Sequence, residues 1–412
     1  MTVKLFRLAW RNVWRNRRRS LITLAAMSLS VMLVQGSHNL SVGVYAQMID
    51  NGVRAGSGHL SVYVGDYARS RDEKLTFHRA DLQTRIAALP GVAQVAPRLY
   101  LPGMAQSSRE SRGILLTGVD PEVERVVNPF LRKLGADEML RSIDGRDAVI
   151  GEKLLRELQL KPGQKFVVTV QGRDGELASE LLRVRGVVRT GMRDIDGSLV
   201  LVGRERAAKI LGVPDAIHEL AVILVQAQDD VTVYPQVVAL LGPHPGLRVV
   251  PWETAMVNLA NAIKFDYASQ QVIFIIILLI VTIGMVNTVL MSVLERMREF
   301  GVMRALGATS RVLVTLVLTE ALLLGVVAAL FGTLLGSGLT WYLAEVGIDL
   351  RDYIAAEIEF GGVVFEPIIR ADWDWVWMGK LALWVIPLSV FAALYPALKA
   401  VRIAPVEAMR QV

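Results

Sequence analysis

Apolar residues gather into four long runs along this chain, at residues 20–45, 272–294, 312–344 and 373–401, with a long stretch of mixed pattern between the first two. About 20 apolar residues of α-helix cross the hydrocarbon core of a bilayer, so each run is long enough to span it. The second is the cleanest, with no charge between Gln271 and Glu295. The first carries Ser28, Ser30 and Gln35, and a basic start before a modest apolar stretch is also how a cleaved leader looks. No A-x-A site closes residues 21–34, and removing one span would put the termini on opposite faces, so the run reads as a retained span.

The stretch between the first two runs reads as α+β. Alternation from His59 to Val64 predicts a strand, residues 80–89 a helix, and 92–96 a strand entered through Pro90 and Gly91. A second unit follows: a strand at 148–150, a helix at 152–158, and a turn at Lys161-Pro162-Gly163. A hairpin of 165–170 with 181–188 around Gly172 to Gly175, a strand at 198–202 and a helix at 204–211 complete it. From Glu219 the first pattern returns, with strands to Val225 and at 247–250, a helix near 231–241, and a helix from Trp252 toward the second run. The expected class is an α-helical membrane domain with four transmembrane helices plus a large α+β domain. One subdomain, 146–212, is inserted into another, 46–145 and 213–268.

Composition agrees with that division. Of 412 residues, 53% are hydrophobic and 20% charged, which is too apolar for an ordinary soluble protein and too charged for one wholly in membrane. The net charge of +6 lies beside the apolar runs rather than over one soluble face, which argues against a nucleic-acid partner. Lys4, Arg7, Arg11, Arg15, Arg17, Arg18 and Arg19 crowd residues 1–20 without an acid, and the tail from 402 to 412 carries Arg402 and Arg410 against Glu407. The loop 345–372 instead holds Glu345, Asp349, Asp352, Glu357, Glu359, Glu366 and Asp372 against Arg351 and Arg370. By the positive-inside rule both termini are cytoplasmic, and the large domain and the 345–372 loop lie outside. Within residues 1–19, Phe6, Trp10, Val13 and Trp14 recur at helical spacing beside an arginine stripe, the pattern of an amphipathic helix lying on the membrane surface. With no cysteine, the outer domain has no disulfide and holds together by its core.

The chemistry-bearing residues are few. No GxxxxGK[ST] loop occurs: Gly379-Lys380 is followed by Leu381 inside a run. The five histidines, His38, His59, His78, His218 and His244, have no metal-ligand spacing, and no G-x-S-x-G elbow exists, so neither a metal site nor catalysis is expected in this chain. The charged segment 295–311 separates the second and third runs and contains Glu295, Arg296, Arg298, Glu299, Gly301, Arg304 and Gly307. It reads either as a docking surface or as an ordinary solvated turn with arginines retained inside. Glu320 lies nine residues past Arg311, about 13 Å along a helix, where a carboxylate needs a partner or water. A structural contact or a proton relay both fit it. Gly325, Gly332 and Gly336 form a small-residue stripe that lets a neighbouring helix approach. Phe274 and the isoleucines and leucines around it offer an apolar wall, for acyl chains or for ordinary lipid.

The segment Glu295-Arg-Met-Arg-Glu-Phe-Gly-Val-Met-Arg-Ala-Leu-Gly-Ala308 resembles the coupling helix of FtsX/MacB-type ABC permeases, in particular the LolC/LolE lipoprotein-releasing branch. The likeness covers nearly the whole chain: Arg11 to Thr23, Gly58-His-Leu-Ser-Val-Tyr63, Gly118-Val-Asp-Pro121, Gly151-Glu-Lys-Leu-Leu-Arg156, Leu160-Lys-Pro-Gly-Gln164 and Tyr395 to Arg410. It implies a multi-pass protein of the bacterial inner membrane whose periplasmic domain has porter (46–145, 213–268) and sabre (146–212) parts. It implies a dimer with a second, identical or paralogous permease. ATP and Mg would be bound by a cytoplasmic ABC ATPase dimer docked on the seven residues named in 295–307, with no cofactor in this chain. The cargo would be lipoproteins or lipids passed to a periplasmic carrier. An efflux permease of MacB type with an adaptor and outer-membrane duct, and a non-transporting signalling platform like FtsX, are the alternatives.

Overall fold

The computed structural model describes residues 2–78, 80–190, 193–242, 244, 246–349, 359–360, 363–364 and 368–402. The chain divides into a helical unit, Met1–Tyr45 with Phe265–Arg351 and Pro367–Val412, and a sheet unit, Ala46–Lys264 with Asp352–Glu366. Three of the acids expected to mark an outer loop (Asp352, Glu357, Glu366), and the tail from 403 onward, lie outside the described residues.

The helical unit uses α1 (Thr2–Arg15), α2 (Arg17–Ala55), α3 (Val257–Glu295), α4 (Met297–Ala305), α5 (Ser310–Glu345) and α6 (Trp375–Arg402). Helices α2, α3, α5 and α6 are long and apolar enough to cross a membrane. Both α2 and α3 are 39 residues, longer than the runs 20–45 and 272–294. Hydropathy registers only their apolar part, and neither sequence contains a proline to end the helix sooner. Leu313, Leu316, Ala328, Ala393 and Ala397 form the buried centre of this unit.

The small-residue stripe of α5 meets two different helices. A Cβ at Gly325 would collide with Ser389 of α6, whereas one at Gly332 would lie 2.6 Å from Val31 Cβ, and one at Gly336 2.7 Å from Gln35 Cδ, both on α2. These glycines therefore pack α5 within the chain. Phe274 is buried, 5.7 Å from the Trp377 ring, so it does not belong to the apolar wall that the sequence suggests. Ile275, Ile276, Leu279, Ile280 and Ile283 form that wall, exposed on α3.

In the sheet unit nine strands run in the order β3-β7-β4-β6-β5-β2-β8-β1-β9, with β3 also pairing β2. They are β1 Leu60–Val64, β2 Val92–Gln106, β3 Ser111–Val119, β4 Asp147–Gly151, β5 Lys165–Gln171, β6 Leu177–Val188, β7 Leu199–Gly203, β8 Glu219–Leu224 and β9 Leu247–Pro251. The extra pairing closes β2, β3, β7, β4, β6 and β5 into a six-stranded ring. Inside it pack Leu99, Leu101, Leu116, Phe166, Val184 and Val200, with the helix Arg204–Leu211 contributing Ala207, Ala208 and Leu211.

Strand β2 is 15 residues long and serves both halves of the sheet: Val92 to Arg98 pair with β8, Arg98 to Gln106 with β3. Beyond it, β8, β1 and β9 carry the helices Ala80–Ala87 and Asp230–Leu241 over a separate core of Leu60, Val62, Leu82, Ile86, Val222 and Val237. This is a split β-α-β arrangement in which the chain between β2 and β8 makes the ring. The expected division at residue 146 thus runs through a sheet: β2 and β3, placed by sequence in the outer subdomain, complete the ring with the inserted strands. The strand expected over 92–96 continues to Gln106, because β2 changes partner along its length rather than stopping.

A polar group is buried where β2 meets β8. Tyr63 and Tyr100 donate to the two oxygens of Glu219, at 2.6 and 2.5 Å. Burial, reinforced by the Glu219 carboxylate, pushes both phenols well above their ordinary range, so they remain donors. Next to them Arg98, fully buried, donates to Glu124 at 2.7 and 3.2 Å and to the Arg54 carbonyl at 3.1 Å.

Candidate functional site

The charged turn is built from a break, a short helix and a glycine stop. Arg296 leaves helical geometry (φ −103, ψ 11) between α3 and α4, which turns the chain after Glu295. At the far end Gly307 adopts φ +96, and the Ala308 amide donates back to the Met303 carbonyl at 2.9 Å, a six-to-one closure that needs a left-handed residue. Among the described residues nothing lies within 4 Å of a Cβ on Gly307, so it is the backbone conformation that asks for glycine there.

Most charges of the turn face inward or sideways. Arg296 is only 6% exposed. Its Nη1 donates to both Glu320 oxygens at 2.9 and 2.8 Å, and its guanidinium lies 5.1 Å from the Phe300 ring centre. Glu320 also accepts from Asn12 Nδ2 of α1 at 2.6 Å. Glu299 accepts from Arg15 at 2.6 Å, and Glu295 accepts two bonds from Arg19 at 2.6 and 2.5 Å. Arg304 donates to the Val401 carbonyl in the last turn of α6 at 3.1 Å, where a helix end presents negative partial charge. Charge-assisted bonds thereby tie α1 to α4 and α5, and a separate pair ties the start of α2 to the end of α3.

This arrangement corrects the sequence reading of Arg296 and Gly301 as surface residues, because both are buried. Glu295 and Glu299 are exposed but paired to arginines of α1 and α2, not to Arg298 within the turn. Arg298 is exposed and has no carboxylate partner among the described residues. The sequence reading missed Val302, 46% exposed, and Leu306, 83% exposed. With Arg298 they recur every four residues, which puts one cation and two apolar side chains on a single face. The i, i+4, i+8 spacing of Arg298, Val302 and Leu306 is present in the sequence itself.

The family model for the MacB-like periplasmic core domain matches residues 20–241, and that for the FtsX-like permease C-terminal matches residues 271–405. The chain belongs to the FtsX/MacB family of ABC transporter permeases. The permease is 22% identical over 329 residues to the lipoprotein-releasing system transmembrane protein LolC of Neisseria meningitidis serogroup B, covering 78% of each. To LolE of the same system in Haemophilus influenzae it is 20% identical over 419 residues, 98% of each. It is also 26% identical over 418 residues to the pyoverdine export ATP-binding/permease protein PvdT of Pseudomonas putida, covering 97% of this chain and 58% of that one. Like its family, the permease is membrane-embedded, with several apolar helices and a large extracellular domain, and members work with ATPase subunits.

Proposed function

We propose that this permease receives the motion of a separate cytoplasmic ATPase dimer at the 295–308 turn and uses it to extract lipoproteins or other lipidated cargo from the bacterial inner membrane. The observation that carries the reading is the outward face of α4, where Arg298, Val302 and Leu306 stand clear while the remaining charges of the turn are held by α1, α2, α5 and α6. An apolar ridge with one cation suits insertion into a groove on a partner. ATP and Mg belong to that partner: PvdT is named as an ATP-binding/permease protein, and this chain matches 58% of it.

The lipidated cargo rests on the lipoprotein-releasing relatives that match 78% and 98% of the chain. In this reading both termini are cytoplasmic, a second permease completes the dimer, and a periplasmic carrier receives the cargo. Each CH₂ of an acyl chain withdrawn from the bilayer costs about 0.8 kcal/mol, so extraction demands energy of the kind that ATP supplies. The test is ATP-driven release of a triacylated protein from proteoliposomes holding the permease and its copurified ATPase, with Leu306→Asp as control. Release lost in the variant supports the reading, and no release from the wild type contradicts it. A second reading, export of a small soluble molecule, is favoured by the PvdT match. Crosslinking that captures an adaptor and an outer-membrane duct would establish it instead.

A further inference from the structure

A cavity of about 500 Å³ lies on the outer face of the six-stranded ring, within the sheet unit. Its floor follows from register. Leu99, Leu101, Leu116 and Val200 point into the ring, so their neighbours in sequence point out. Tyr100 is paired with Thr117 and Thr117 with Leu201, while Pro102 is paired with Leu115 and Leu115 with Leu199. All six line the cavity. The last turn of α2, at Ala55, and the segment carrying Phe130 and Leu131 cover it.

Polarity changes across this floor. On the β2 side stand Arg98, Tyr100 and, from the short helix region before Arg71, Tyr67 with Arg71 itself. On the β7 side Leu199, Leu201, Val188 and Ile195 dominate the lining, beside Thr190 and Ser198. Strands lie about 4.8 Å apart, so the polar and apolar sides are separated by about 10 Å across β2, β3 and β7. The polar side carries two guanidinium groups: Glu124 pairs with Arg98, the buried Glu219 acts on both arginines through space, and Arg71 is exposed, 5.5 Å from the Tyr67 ring centre, with no carboxylate in ion-pair contact among the described residues. Arg98 Nη1 is buried in the cavity wall and has no acceptor among the described residues. A pocket of this size, mostly apolar with a few convergent polar groups at one side, is the form small-molecule sites take.

We infer that this cavity binds a single-chain amphiphile with an anionic head, its acyl chain over Leu199 and Leu201 and its carboxylate or phosphate on Arg71 and Arg98. This goes beyond the transport reading, because the site lies in the sheet unit and holds whatever the cargo is. Occupant chemistry follows from the donors beside an apolar floor: the unpartnered Arg98 Nη1 and the Arg71 guanidinium call for an acceptor, which an anion fills most strongly, and a free phosphate leaves the floor empty.

The test uses the full chain in phosphatidylcholine nanodiscs and a palmitate carrying a diazirine on its tail. Photolabelling should map to peptides containing Leu115, Leu199 and Leu201, and should fall at least five-fold in Arg71→Glu and in Leu199→Trp, two variants checked for folding by thermal melting. Unlabelled palmitate and lysophosphatidate should compete and hexadecanol should not; the stronger competitor of the two anions distinguishes carboxylate from phosphate. Labelling confined to the long apolar helices, labelling unchanged in both variants, or equal competition by hexadecanol would overturn the inference.

Discussion

Arg296 and Glu320 form a two-bonded ion pair, at 2.9 and 2.8 Å, that joins the turn between α3 and α4 to the body of α5. Both side chains are largely buried, and Asn12 supplies a further donor to the carboxylate. Removing one partner of a buried pair leaves an uncompensated charge, which costs about 3–5 kcal/mol, whereas replacing both by apolar residues is often neutral. Arg296→Met and Glu320→Leu should each lower the melting temperature of the purified permease, and the double variant should recover most of the loss. If the two losses simply add, the pair is not the contact that holds the turn.

The exposed pairs of α4 make a different prediction. Glu299 is held by Arg15, so Glu299→Arg should detach α1 from the turn and reduce ATPase recovery, and Arg15→Glu in the same chain should restore it. Exposed pairs contribute only about 0–1 kcal/mol, so stability should barely change. Affinity purification with quantification of the ATPase checks both variants. Failure of the charge swap to restore recovery would assign Glu299 directly to the ATPase interface.

Much of this turn was legible in the sequence: the apolar runs bracket it, the charges flag it, and Gly307 marks its end. Which charges point where was not, because Arg296 looks like its neighbours until Glu320, 24 residues on, comes to face it. The ring of strands was hidden for a similar reason. Its closure depends on β2 pairing with β3 on one side and with β5, distant in sequence, on the other, and local alternation says nothing about a change of partner. The stripe Gly325, Gly332 and Gly336 announced close packing, but two helices share it.

That sharing can be tested. Gly332→Leu and Gly336→Leu should press against Val31 and Gln35 and destabilise the permease by about 1–3 kcal/mol, the usual cost of overpacking. Val31→Gly, which removes the Cβ, should relieve Gly332→Ala but not Gly325→Ala, which faces Ser389. Melting temperatures of the single and double variants decide it, and relief of both glycine variants by Val31→Gly would refute the assignment.

Two histidines of the sheet unit set a pH dependence. His59 Nδ1 accepts from the Leu224 amide at 3.2 Å, and His218 Nδ1 accepts from the Tyr100 amide at 3.1 Å, so both rings are needed neutral. Burial lowers both, His59 to about 4. Because the folded value lies below the unfolded 6.5, the unfolded chain binds more protons between them. Stability is therefore full above about pH 6.5 and is lost as pH falls toward 4, by about 3 kcal/mol for His59 alone. Melting temperature measured against pH should fall in this window, and less steeply in His59→Gln. An equal slope in the variant would remove His59 from the effect.

The chain has no cysteine, which makes a single introduced thiol unambiguous. Leu306→Cys, treated in native membranes with a short thiol-reactive photocrosslinker, tests the central claim most directly, with a cysteine on the exposed face of α3 at Ile280 as control. The account predicts that Leu306→Cys captures a nucleotide-binding ATPase subunit and that Ile280→Cys does not. Capture of no ATPase from Leu306→Cys, in membranes where the ATPase still copurifies with the permease, would contradict it.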